Sequence, residues 1–87
     1  MKRINIYIWF FPLIQDKDMN EIKIKDEYIK LGQLLKLAGL TDSGLEAKLV
    51  IVNGQVKLND NVEIQRGKKV FPGDIVEYNG NVIKVIN

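Results

Sequence analysis

YIKLGQLLKLAGLTDSGLEAKLVIVNGQVKLN, residues 28–59, reads as two short helices joined by a tight corner and followed by a strand. Leu31, Leu34, Leu35 and Ala38 fall at i, i+3, i+4 and i+7, which places them in one apolar stripe on a helix. Gly39 ends that helix, because glycine takes the left-handed conformation after a helical C-cap without steric cost, and Leu40 can fold back onto the last turn. Thr41-Asp42-Ser43 form the corner. Ser43 and Glu46 have capping-box spacing: the serine oxygen is predicted to accept from the Glu46 amide while the glutamate reaches back to the Ser43 amide. A second helix therefore starts at Gly44, turns Ala47, Val50 and Ile51 inward, and stops at Asn53-Gly54. The pair is a compact helical hairpin.

Downstream, residues 55–59 alternate polar and apolar with Val56 and Leu58 inward, Asp60-Asn61 is a turn pair, and residues 62–65 return as a strand. Residues 66–69, RGKK, form an exposed loop with three cations, a glycine and no acid. Phe71-Pro72-Gly73-Asp74 is a second turn, and Asn79-Gly80 is a strong hairpin signal between strands at 75–78 and 82–86. Upstream, residues 21–25 alternate as a short edge strand, and Asp26-Glu27 turn the chain towards the first helix. The expected fold class is α+β, a two-helix hairpin packed on a small, mostly antiparallel sheet of about four or five strands.

Residues 1–18 differ in character, with the only tryptophan and an apolar run over 6–14 broken by Pro12. The run is too short for a membrane span, which needs about 20 apolar residues. It also lacks the small-residue cleavage site of an export signal. The expected organisation is an N-terminal extension over 1–20, disordered or upstream of a natural start at Met19, and one domain over 21–87.

The 87 residues hold no cysteine and no histidine, which removes disulfides, thiolate metal sites and the commonest general base. Glu46, Glu63 and Asp74 have neither a partner base nor metal-ligand spacing, so no catalytic residue, metal or cofactor is expected. Thirteen basic and eleven acidic residues give a net charge of +2, too small for bulk charge to identify a partner. The position of the charges decides instead.

Set side by side, the hairpin, the VKLN strand and the PGD turn resemble the S4 RNA-binding domain over residues 22–86. Ser43, Glu46-Ala47-Lys48, Val50-Ile51, Gly54 and residues 56–59 match the family's pattern from its second helix into the following strand. EYIKLGQLLKLAGL, DSGLEAK and RGKKVFPGD look like the small stand-alone bacterial S4 proteins of the YaaA/YbcJ type. The resemblance implies the S4-like (alpha-L) fold and a cytoplasmic, monomeric, non-catalytic protein. Such a protein would bind structured RNA, ribosomal RNA or an assembling ribosomal particle, with no membrane or small-molecule partner. Gly44, Leu49 and Val52 stand where many S4 domains carry arginine, so the second helix offers Lys48 alone.

On that topology the candidate RNA-binding residues are Lys36, Ser43, Gly44, Lys48, Arg66, Gly67, Lys68 and Lys69. The cations would meet phosphates and the glycines would allow close backbone approach. Gln33 is a further hydrogen-bonding candidate, Tyr28 and Tyr78 read as isolated aromatics, and Lys23 is expected to lie away from this surface. Two other classes are open. A protein–protein adaptor could use Leu45, Leu49 and Val52 on the second helix. A β-grasp sulfur carrier fits less well, because it needs a C-terminal Gly-Gly and this sequence ends Val85-Ile86-Asn87.

The late onset of the regular pattern makes residues 1–18 dispensable. A chain beginning at Met19 should keep its melting temperature and RNA affinity, and a fall of more than ~5 °C would show that the extension packs on the domain.

Overall fold

The structure is a computed structural model and describes residues 19–87. The expectation for residues 1–18 lies outside the described residues. In chain order the elements are β1 (Met19–Lys23), β2 (Ile29–Lys30), α1 (Leu31–Leu37), α2 (Gly44–Val52), β3 (Val56–Leu58), β4 (Asn61–Val62), β5 (Lys69–Val70), β6 (Ile75–Tyr78) and β7 (Asn81–Ile86). Five strands form one sheet in the order β1-β7-β6-β3-β4, and β2 and β5 form a separate two-stranded ribbon. Every pairing is antiparallel except β1 with β7, which run parallel with Met19 beside Val82 and Lys23 beside Ile86. This is the α+β architecture expected from the sequence.

Both helices end on the same device. Gly39 and Gly54 take φ of 77° and 78°, a conformation that a side chain would strain. After α1, the Leu40 amide donates to the Leu35 carbonyl at 2.9 Å and the Gly39 amide to Lys36 at 3.0 Å. After α2, the Gln55 amide donates to Val50 and the Gly54 amide to Ile51, both at 3.0 Å. These are two Schellman motifs, and each turns the chain sharply while satisfying carbonyls the helix leaves open. At the start of α2 the Ser43 Oγ accepts from the Glu46 amide at 3.1 Å, as expected. The Glu46 carboxylate, however, accepts from the Asp42 amide at 2.7 Å and not from Ser43. The extended backbone at Ser43, φ −148° and ψ 165°, carries the chain away from the helix axis.

The helices contribute Leu31, Leu34, Leu35, Ala47, Val50 and Ile51 to a single core with Val56, Leu58, Val76, Ile83 and Val85 of the sheet. Val70 of the ribbon and Ile24 complete it. Leu31, Leu34 and Leu35 are fully buried, each stabilising the fold by about 1.5–3 kcal/mol relative to exposure.

Three local expectations need correction. The first strand spans 19–23 and not 21–25, because its register is set by main-chain pairing with β7; the Ile24 amide still donates to the Ile86 carbonyl at 2.9 Å. The turn after β3 is Asn59-Asp60, with φ of 51° and 71°, not Asp60-Asn61. Leu58 pairs with Asn61 across it, as the two-residue hairpin of primed type requires. Asn59 is pinned there by its side chain, which accepts from the Ile75 amide at 2.9 Å and donates to Asp74 Oδ1 at 3.1 Å. The strand expected over 62–65 ends at Val62 in consequence. Ile64 is left exposed, and the Glu63 carboxylate accepts from the Gln65 amide in a local turn.

Thr41, in the corner between the helices, is buried and its hydroxyl has no hydrogen-bond partner. Burying such a group unpaired costs about 1–3 kcal/mol. Thr41→Val keeps the shape and removes the polar atom, so it should raise the melting temperature by several degrees. A lowered melting temperature would show that the hydroxyl has a partner in solution.

Candidate nucleic-acid interface

α1 is only seven residues long, begins at Lys30 without a side-chain cap and has no acidic residue in its first turn. Its first amides are satisfied from elsewhere in the chain. The Leu31 amide donates to the Lys68 carbonyl and the Gly32 amide to the Arg66 carbonyl, both at 2.9 Å. These bonds clamp the basic loop against the start of the helix. The clamp continues into the ribbon, where Ile29 pairs with Val70 and Lys30 with Lys69. Gly32 lies directly against the loop: a Cβ there would stand 3.5 Å from the Arg66 carbonyl oxygen and Cβ, at ordinary van der Waals contact, so the approach does not itself require glycine.

The clamp creates an open concavity of about 320 Å³ between α1, the loop and the start of α2. Lys36, Gly44, Arg66 and Gly67 line it, and so do Lys30, Gly32 and Gln33. Its three cations are thus drawn from two separate segments of the sequence, Lys30 and Lys36 from the start and body of α1 and Arg66 from the loop. Nothing lies within 4 Å of where a Cβ would stand on Gly44 or Gly67, so the backbone there is open to a bound group.

The other expected residues are arranged around this centre. Ser43 is the N-cap of α2, with its hydroxyl engaged by the Glu46 amide. Lys48 is exposed one turn after Gly44, on the same side of α2. Lys68 is exposed, with its carbonyl in the clamp. Lys69 does not line the concavity and places its Nζ 4.8 Å from the centre of the Tyr28 ring.

Lys30 and Gly32 were not expected at the site. For Lys30 the signal was present: Lys30, Gln33 and Lys36 recur every third residue, which is the polar edge opposite the leucine stripe. Lys23 does not line the basic concavity. With Lys25, Tyr28, Gln33 and Leu37 it lines a second concavity of about 290 Å³, which shares Gln33 with the first. Among the described residues, no group of three or more His, Cys, Asp or Glu could hold a metal ion, and no helix is long and apolar enough to cross a membrane.

The S4 domain model matches residues 22–86, which takes in both helices, the loop and all strands after β1. The chain belongs to the S4 domain family. Among similar S4 proteins is the probable ribosome maturation protein RlbA of Bacillus subtilis, 44% identical over 61 residues, or 70% of this chain and 86% of that one. The putative RNA-binding protein YbcJ of Escherichia coli is 37% identical over 62 residues, 71% of this chain and 89% of that one. The solution structure of E. coli YbcJ, reported as revealing an alfa-L motif involved in RNA-binding, superposes with a TM-score of 0.59. That superposition has 33% identity and covers 80% of this chain and 87% of the other. The fold is therefore that of the S4 domain as well as its sequence pattern.

Proposed function

We propose that this S4 protein is a non-catalytic, cytoplasmic, monomeric RNA-binding protein whose target is structured RNA, namely ribosomal RNA or an assembling ribosomal particle. The observation that carries the proposal is the convergence of Lys30, Lys36 and Arg66 on one open concavity, with free backbone at Gly44 and Gly67. Phosphates need charged donors at fixed spacing, and the clamp holds the loop cation at a set distance from the helix cations. The names of the B. subtilis and E. coli relatives, a ribosome maturation protein and an RNA-binding protein, support the same reading.

The surface suits shape recognition. An A-form duplex offers side chains its backbone, 2′-hydroxyls and wide minor groove, so a compact helical hairpin meets it with little base reading. Gln33, set among the cations, is placed to hydrogen-bond a 2′-hydroxyl. Arg66 is the one cation there that can hold a phosphate with two parallel hydrogen bonds.

An adaptor reading keeps one specific observation in its favour, since Leu45, Leu49 and Val52 are 66%, 51% and 55% exposed on α2. Light scattering with and without RNA separates the two. Self-association without RNA, together with no RNA binding, would favour the adaptor.

Four or five phosphate contacts should give a slope of log K against log salt of about −3 to −4, at roughly 0.7–0.9 per phosphate. Arg66→Gln, Lys48→Gln and Lys57→Gln each remove one charge, and Lys57 lies on the outer face of β3, between the buried Val56 and Leu58. Binding to a folded rRNA fragment at fixed salt should fall about tenfold or more for Arg66→Gln, less for Lys48→Gln and little for Lys57→Gln. Stability should change by no more than about 0.5 kcal/mol in each. Equal losses in all three would mean diffuse electrostatics without a site.

A further inference from the structure

Lys69, Tyr28 and Phe71 form a cluster outside the basic concavity. Their meeting follows from the ribbon register. Ile29 pairs with Val70 and Val70 is fully buried, so alternation turns its neighbours Lys69 and Phe71 to the outer face. Tyr28, one residue before Ile29, and Phe71, one residue after Val70, flank the paired rungs at the same end of the ribbon. The two rings lie 5.8 Å apart between centroids with their planes at 51°, a tilted aromatic contact. Tyr28 is therefore not the isolated aromatic that its sequence position suggests.

Phe71 is nonetheless 42% exposed. Its backbone is held at both ends of the PGD turn: its amide donates to Asp74 Oδ2 at 2.8 Å and its carbonyl accepts from the Asp74 amide at 2.9 Å. The ring contacts Tyr28 and is otherwise partly open to solvent. The Lys69 ammonium sits over Tyr28, and Lys69 continues directly from the loop that supplies Arg66 to the concavity. A fixed aromatic face beside a cation, next to a phosphate-binding surface, has what an unstacked nucleobase requires.

We propose that Phe71, braced by Tyr28, whose own ring carries the Lys69 ammonium, is a stacking platform for one unpaired base of the bound RNA. The protein then selects helices interrupted by a bulged or flanking unpaired nucleotide over continuous duplex. This rests on the RNA-binding reading above and adds a ligand class to it. Lys36 and Arg66 hold the duplex backbone, while Lys69 meets the phosphate of the nucleotide whose base reaches Phe71. Every base has a π-face, so the platform selects for an unpaired base and not for its identity.

The test uses two RNA hairpins with the same stem, one fully paired and one with a single bulged 2-aminopurine. The full chain should bind the bulged hairpin about tenfold tighter or more, the range of one base–aromatic stack, and should quench the 2-aminopurine fluorescence. Phe71→Ala and Phe71→Leu should lose the preference and the quenching but still bind the paired hairpin as before, while Phe71→Trp should keep both. Phe71→Leu preserves apolar bulk on the turn, and melting curves of all variants report any loss of fold. Equal binding of the two hairpins by the unaltered chain would overturn the platform, as would a preference retained in Phe71→Leu or equal losses on both RNAs in Phe71→Ala. Failure of the unaltered chain to bind either hairpin would instead overturn the RNA-binding reading itself.

Discussion

Two backbone hydrogen bonds, from the Leu31 and Gly32 amides to the Lys68 and Arg66 carbonyls, hold the site together. A seven-residue helix is marginal alone, because the first turn costs more conformational entropy than its bonds return. α1 has no side-chain cap to offset that cost. The basic loop fills the role, and in doing so it is itself fixed. Because only its carbonyls are used, the Arg66 and Lys68 side chains stay exposed. One interaction thus stabilises the helix and sets the distance between the loop cation and the helix cations.

The rest of the fold supports that clamp from behind. Leu31, Leu34 and Leu35 bury the inner side of α1 against Ile51 and the sheet. The two Schellman motifs turn the chain at Gly39 and Gly54, so that α2 returns beside α1 and leads straight into β3. Asn59 and Asp74 then tie the β3–β4 turn to the PGD turn, which steadies the chain just beyond β5. A loop with no apolar residue of its own over residues 66–69 is in this way carried by its neighbours on both sides.

Sequence reading was most successful where the determinants are local. The α2 boundaries, its Ser43 cap and the Gly39 and Gly54 stops depend on residues within a few positions of one another, and all appear in the structure. The Asn79-Gly80 hairpin is as legible, with both residues at positive φ. Non-local pairing is where it failed. The ribbon of β2 with β5 has two residues a side, too few for any alternation to register, and it joins segments far apart in the chain. Lys30 was missed with it, and so was the contact between Tyr28 and Phe71. The parallel register of β1 shifted the first strand because Ile22 and Ile24 alternate equally well in either frame.

That parallel pairing also governs timing. β7 supplies Ile83 and Val85 to the core and is the last strand of the domain in chain order, yet β1, its outer partner, is the first. Partners such as Met19 and Val82 lie about sixty positions apart, the kind of separation that slows folding. During synthesis at about 5–20 residues per second, β1 waits roughly 3–13 s for its mate. The clamp joins positions fewer than forty residues apart, Leu31 with Lys68 and Gly32 with Arg66, whereas the sheet behind it closes only when the two ends of the domain meet. The basic surface is thus held by contacts between nearer neighbours in the chain than the scaffold behind it.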